Sequence, residues 1–196
     1  MPVVRIVAAA LLLSACGASL PARYVVEQDV GDFRYRRYQK VLDVEFPVEG
    51  NAAVGHTASY VRRDHGDEVV FATAFVTVYE RPRALVAEVR DRLEGLGTYE
   101  IRVRELAGEH VWWLDGGSDS WALWVSGRHL VKLGAPRGEE IPEDLADAYT
   151  GLYPSDLDER GRAEEGAESA GQSARQVQQE EEQRQLPAHL REGAPR

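Results

Sequence analysis

The sequence predicts an α+β domain built on a mainly antiparallel β-sheet of hairpins and a meander. Short apolar or alternating segments recur between turn residues over positions 41–133, which is typical of such a sheet. A segment with helical spacing interrupts them at 82–97, and a shorter one follows at 142–153. We expect both helices to pack on one face of the sheet, because an apolar sheet face must be covered.

Strands are predicted before the first helix at 24–27, 41–46, 55–63 and 69–79. In the second of these segments, Leu42, Val44 and Phe46 alternate with acidic residues, which indicates a half-buried strand. The turn sequence at 64–67 should join the last two strands as a hairpin. The last strand is apolar on both faces, so we expect it in the centre of the sheet.

Two helices are predicted, each opened by a proline. Pro82 precedes apolar residues at helical spacing, and a glycine after them supplies a stop. These apolar residues form one stripe: Leu85, Val86, Val89, Leu93 and Leu96. Pro142 opens the second helix, which should end before Pro154.

Between the helices, residues 99–135 predict a four-stranded meander. The turn sequences are 107–108, 115–119 and 126–127, and each contains glycine. The segments between them are rich in aromatic and β-branched residues, as strands usually are.

We expect a signal peptide at 1–15, a tether at 16–22, a globular domain at 23–154 and a tail at 155–196; the layout of the first residues, described below, sets the first boundary. The tail is rich in Glu, Gln, Arg, Ala, Gly and Ser and has no aromatic residue. It has too little apolar surface to offset the loss of chain entropy on folding, so we expect an acidic, disordered tail.

The formal net charge is −10, from 33 acidic and 23 basic residues. This balance argues against nucleic acid as a partner and against an electrostatic grip on anionic lipid. No second long apolar run follows Leu13, so no transmembrane helix is expected.

The first residues have the layout of a secretory signal. Arg5 precedes the apolar run 6–13, which is about half as long as a membrane-spanning helix. Leu13-Ser14-Ala15-Cys16 follows and resembles the lipobox of bacterial lipoproteins. The resemblance implies that Cys16 is lipidated and becomes the first residue of the mature protein.

Other observations bear on this resemblance. Cys16 is the only cysteine, so no intramolecular disulfide can form, and lipidation would consume a thiol that is otherwise a liability in an oxidising compartment. The residue after Cys16 is Gly17 and not aspartate. In a Gram-negative host, the resemblance then implies that the protein is anchored on the periplasmic side of the outer membrane. An ordinary cleaved signal and an uncleaved hydrophobic anchor are the alternatives.

The order of strands, helix, meander and final helix is similar to that of Mog1/PsbP-like lipoprotein domains. The order of elements, and no diagnostic residue, carries this resemblance. It implies a fold of the same general class and says nothing of a ligand.

The candidate binding residues are four tryptophans near one hairpin: Trp112, Trp113, Trp121 and Trp124. Neighbours in a strand point to opposite faces, so Trp112 and Trp113 cannot both enter one core. Either one face presents tryptophan to a protein partner, a glycan or peptidoglycan, or helices and loops cover both faces.

We expect no metal site, no cofactor and no recognisable catalytic residue. Asp115 and Asp119 could suggest calcium, but they lack the spacing of an EF-hand and are typical of a hairpin turn. His110 and His129 could approach each other across the meander. The histidines show no zinc-binding spacing: His56, His65, His110, His129 and His189.

The lipobox resemblance therefore implies a membrane-anchored lipoprotein with a non-catalytic binding or scaffolding role at the cell envelope. Its partners would be the membrane, through the lipid, and an envelope protein or glycan. The alternative is an envelope enzyme, such as a hydrolase, with an active site that only the fold assembles.

Overall fold

A seven-stranded antiparallel sheet and two helices form the domain. The structure, a computed structural model, describes residues 20–64, 69–82, 84–136 and 139–164. The elements are β1 (Phe33–Val41), β2 (Ala53–Arg62), β3 (Ala72–Tyr79), α1 (Leu85–Glu94), β4 (Glu100–Leu106), β5 (Glu109–Asp115), β6 (Asp119–Ser126), β7 (His129–Pro136) and α2 (Glu143–Leu152). The strand order is β1-β2-β3-β7-β6-β5-β4.

The predicted α+β class and the mainly antiparallel sheet are confirmed. β2 and β3 pair as the predicted hairpin, although most of its turn, 65–68, lies outside the described residues. The predicted meander is β4 to β7, and β7 joins it to the first three strands by pairing with β3. α1 begins at Leu85 and not at Pro82, because Ala84 adopts a left-handed backbone with φ of 59°.

The strands predicted at 24–27 and 41–46 are wrong. The first strand is β1, whose periodicity is interrupted by a register shift between Tyr35 and Arg37. Segment 42–46 has no ladder partner, and Leu42 is 75% exposed, although Phe46 is buried. Alternation alone therefore indicated the wrong stretch, one that follows the true strand.

The register assigns side chains to two faces of the sheet, because paired residues share a face and chain neighbours do not. One face, called here the Tyr60 face, carries Tyr60 of β2 and its register partner Ala72. The opposite face carries Phe75 of β3 and its register partner Lys132 of β7. We call this the Lys132 face.

The N-terminal segment 20–27 is bound to the Tyr60 face through tyrosines. The Val26 N–H donates to the Tyr149 hydroxyl of α2 at 3.1 Å, and the Tyr60 hydroxyl donates to the Val26 carbonyl at 2.7 Å. The two hydroxyls are 2.8 Å apart, and burial raises the pKa of Tyr149 to about 12. These bonds satisfy backbone groups that a strand would have satisfied through a ladder.

Residues 155–164 are folded, so the predicted disordered tail begins too early. The Ser155 hydroxyl donates to the His110 carbonyl of β5 at 2.6 Å, and the Asp156 N–H donates to the Val125 carbonyl of β6 at 2.8 Å. Leu157 is buried in the core. The segment is polar in composition, and hydrogen bonds to the ends of strands hold it, so its composition did not reveal that it is folded. The remainder of the predicted tail, 165–196, lies outside the described residues.

Within the described ranges, no helix combines the length and the apolar character that crossing a membrane would require. The signal peptide and Cys16 precede residue 20 and lie outside these ranges, so their predictions stand as made from the sequence.

Candidate functional site

An open groove lies on the Lys132 face, where segment 41–46 passes over the strands. Its volume is about 450 Å³, including space open to solvent. Phe75, Thr77, Leu123, Leu130 and Lys132 form the strand side of the groove. The groove is mostly apolar, with a few charged groups set in it, which is the usual character of a ligand site.

Lys132 supplies the buried charge of this groove. In β7 it shares a face with Leu130 and Gly134, because alternate strand residues point the same way. Its side chain is 11% exposed, and its Nζ donates to the two carboxylate oxygens of Glu45 at 2.7 and 2.9 Å. Glu45 is 54% exposed, so one member of this ion pair faces solvent.

Two aromatic rings lie near the Lys132 amine. Its Nζ lies 4.1 Å from the ring centroid of Trp121 and 5.8 Å from that of Phe75. The two rings are tilted at 60° with centroids 5.8 Å apart. Aromatic faces attract a cation, so the rings help to hold the charged amine where little water reaches it.

Trp121 is fixed in this position from two sides. Its Nε1 donates to Asp119 Oδ2 at 2.5 Å. Its six-membered ring lies over Gly134, where the Cβ of any other residue would overlap it. Trp121, Lys132 and Asp119 thus share one strand surface, and the Glu45 carboxylate lies beside it in the 42–46 segment. Such a set can stack on an apolar ring face and hydrogen-bond to polar groups at its margin.

The structure separates the four predicted tryptophans into two pairs. Register places Trp112 and Trp121 on the Lys132 face and the other two on the Tyr60 face. Trp112 and Trp124 are buried, and the Trp124 Nε1 donates to the Tyr153 carbonyl at 2.7 Å. Trp113 is half-buried, with the Arg104 guanidinium 4.8 Å from its ring centroid. A single four-tryptophan surface is therefore not formed.

Asp115 and Asp119 act in the hairpin turn. Asp115 accepts from the Gly117 N–H at 3.1 Å, and Asp119 accepts from the Ser118 hydroxyl at 3.1 Å as well as from Trp121. Over the part of the chain that the structure describes, no group of three His, Cys, Asp or Glu residues could hold a metal ion.

His110 and His129 are not brought together, because the register places them on opposite faces. His56 and His129 instead contact the Tyr24 ring, with centroid distances of 4.9 and 5.8 Å. His56 Nδ1 lies 2.9 Å from the Tyr38 hydroxyl, and burial lowers its pKa. Two other histidines, 65 and 189, lie outside the described residues.

His129, like His56, is buried. Its Nδ1 donates to the Ser126 carbonyl at 3.1 Å, and its Nε2 is buried without a hydrogen-bond partner among the described residues. Burial lowers the pKa of His129 to about 4. The neutral ring therefore packs between tyrosines and helps to hold the N-terminal segment.

Family models, curated proteins and solved structures all give no match to this chain. The function has to be inferred from the groove and from the way the N-terminal segment is held.

Sequence reasoning found Trp121 and Asp119 but missed Phe75, Glu45 and Lys132. These residues come from separate parts of the chain and form no motif. One signal was present: Lys132 is one of only two lysines, and its neighbours Leu130, Val131 and Leu133 are all apolar.

Proposed function

We propose that this chain is a lipid-anchored, non-catalytic binding protein of the cell envelope, with its ligand site in the groove of the Lys132 face. The anchor is Cys16, and the compartment is the periplasmic side of the outer membrane in a Gram-negative host. The observation that carries the proposal is the Lys132 amine, which lies beside two aromatic rings at an open groove.

The anchor would hold the domain close to the membrane. Val25, which is fully buried, lies nine positions after Cys16. A chain of that length spans at most about 30 Å. A domain on so short a tether suits recognition of material near the membrane surface.

The ion pair in the groove is better explained by binding than by stability. A pair that is partly removed from water often adds little stability compared with apolar residues of the same volume. Glu45 lies in a segment without ladder hydrogen bonds and is half exposed, so a ligand can displace it from Lys132 without breaking the sheet. Trp121 and Phe75 then offer apolar contact beside the freed amine.

A glycan strand is the ligand class that this chemistry fits best. Sugar rings present an apolar face to an aromatic ring and hydroxyl groups to the amine and carboxylates at its edge. Among these carboxylates are Asp119, bonded to Trp121, and Glu45, bonded to Lys132. The same site accepts an envelope protein only if that protein offers an acidic or aromatic side chain to Lys132.

Co-sedimentation of the full chain with purified peptidoglycan sacculi tests the proposal. We expect Lys132→Met and Trp121→Ala to weaken binding about tenfold or more, while Trp113→Ala, a matched loss of a half-buried tryptophan on the other face, binds normally. Lys132→Met should change the free energy of unfolding by less than about 1 kcal/mol.

Equal binding by all three variants would reject the groove. Failure of the wild type to bind sacculi would reject the glycan. If affinity capture from solubilised envelopes then gave a protein whose recovery depends on Lys132, that protein would replace the glycan as ligand.

The position of both helices on one face stays a prediction, and two observations favour one helix on each face. Tyr149 of α2 reaches Tyr60 on the Tyr60 face. Burial raises the pKa of Tyr79, and the Arg92 guanidinium of α1 opposes that rise, so Arg92 is near the Tyr79 hydroxyl. Register assigns Tyr79 to the Lys132 face. We propose three layers, with the sheet between α1 and α2. Nuclear Overhauser contacts between α1 methyl groups and Leu123 would support this arrangement. Their absence would favour both helices on one face.

A further inference from the structure

The edge strand β1 is strongly basic in an acidic chain. It has four cations and no acidic residue among its nine positions, whereas the whole chain has a net charge of −10. The four cations are exposed: Arg34, Arg36, Arg37 and Lys40. β1 pairs with β2 on one side, and among the described residues no strand pairs with its outer side.

The register shift in β1 spreads these cations around the edge of the sheet. Arg34 and Arg37 lie opposite Val61 and Ser59, which places them on the Lys132 face. Lys40 lies opposite His56, on the Tyr60 face. The positive charge therefore surrounds the outer edge instead of belonging to one face.

The N-terminal segment lies against this same strand. The Arg23 guanidinium is 4.9 Å from the ring centroid of Tyr38, and the Tyr35 hydroxyl donates to Glu27 at 3.2 Å. Leu20, the first described residue, lies only four positions after Cys16, which is a reach of at most about 14 Å. A lipid on Cys16 would bring the basic edge close to the bilayer.

Two of the nearby carboxylates are paired with cations outside β1. Glu27 pairs with Arg23 at 3.0 Å, and Asp29 pairs with Arg63 at 2.9 Å. Neither acidic residue is in β1. A charged edge also prevents strand-to-strand aggregation, and this is the purely structural explanation of such a strand. That explanation does not require the cations to lie beside the chain that leads to the anchor.

We propose that the β1 edge is a second membrane contact, which binds the phosphate groups of anionic lipid headgroups and orients the domain edge-on to the bilayer. This proposal rests on the proposed anchor, because a lipid on Cys16 is what holds β1 close to the bilayer. The two or three acyl chains of that anchor give stable attachment by themselves, so the basic edge sets the orientation of the domain. A surface within a Debye length of about 10 Å senses the local charge and not the sum over the chain. The net charge of the whole chain therefore does not determine whether this edge binds anionic lipid.

An edge-on orientation has a consequence for the groove. Both faces of the sheet then stand away from the bilayer, so the Lys132 face stays open to envelope ligands while the anchor and β1 are occupied by lipid.

Photo-crosslinking of the full-length protein in lipid vesicles tests this contact. A benzophenone amino acid replaces Gln39 in β1 or, as a control, Glu105 in the opposite edge strand β4; both positions are exposed. In vesicles containing phosphatidylglycerol, we expect at least about fivefold more lipid adducts at 39 than at 105. The excess should disappear in phosphatidylcholine vesicles and at about 0.5 M salt.

A matched pair of variants separates charge from position. Arg37→Gln with Lys40→Gln should abolish the excess at 39, whereas Arg102→Gln with Arg104→Gln, which removes two cations from β4, should leave it intact. Equal adducts at 39 and 105, or adducts unaffected by lipid charge and salt, would overturn the proposal.

The mass of Cys16 in the same preparation separates this proposal from the anchor. Acylated Cys16 without the excess at 39 rejects the basic edge alone. Unmodified Cys16 with the excess rejects the anchor and keeps the lipid contact.

Discussion

The protonation of His129 should make the domain less stable in mild acid. The folded pKa is lowered from 6.5 to about 4 by burial, so the unfolded chain binds a proton that the folded chain excludes between these values. Stability therefore falls as the pH drops from about 6.5 to about 4 and is unaffected by this group below that. Each unit between the two pKa values is worth about 1.4 kcal/mol, so the full loss is about 3 kcal/mol.

Urea denaturation of the wild type and of His129→Phe, from about pH 7 to about pH 4.5, measures this contribution. The variant keeps an aromatic ring between Tyr24 and Tyr153 but cannot be protonated. The carboxyl groups and His56 are the same in both proteins, so the difference between the two stability curves isolates the contribution of His129. The wild type should lose about 2 to 3 kcal/mol more than the variant over this range. Parallel curves, or an NMR-titrated pKa of His129 near 6.5, would refute the reasoning.

Three substitutions test other parts of the structure by urea denaturation. Tyr149→Phe leaves the Val26 N–H buried without an acceptor and should lower the free energy of unfolding by about 2 kcal/mol. A loss below about 0.5 kcal/mol would show that Tyr149 does not hold the N-terminal segment. Gly134→Ala should cost about 1 to 3 kcal/mol because its methyl group overlaps the Trp121 ring; unchanged stability and ligand binding would place that ring elsewhere. Gly161→Ala should cost about 1 to 3 kcal/mol, because its φ is 69° and its methyl group would overlap Trp112 and Val103. It should also speed hydrogen exchange across 155–164, and no change in either quantity would mean that this segment is not folded on the sheet.

The parts of the fold that the sequence predicted correctly are those in which local chemistry and tertiary structure agree. Glycine-containing turns and alternating strands fixed the meander, and the stripe of α1 identified a helix. β1 was missed because four cations and a register shift disguise its periodicity. Segment 42–46 was mistaken for a strand because Leu42, Val44 and Phe46 alternate, although only Phe46 is buried.

The candidate site was predicted only in part, for a related reason. Trp121 stands out in the sequence, but its surroundings depend on β3, β7 and the 41–46 segment, which sequence spacing does not bring together. Which tryptophans are buried depends on register, and a shift of one residue would exchange the faces. The basic edge was visible in the sequence as FRYRRYQKV, but its position beside the N-terminal segment depends on contacts such as Arg23 with Tyr38.

The intact mass of the protein purified from its native host tests the proposed anchor most directly. We expect a chain that begins at Cys16 and carries the added mass of a diacylglyceryl group, with or without a third acyl chain. A chain that begins at Met1, or one in which Cys16 is a free thiol, would contradict the proposal that a lipid holds this domain at the envelope.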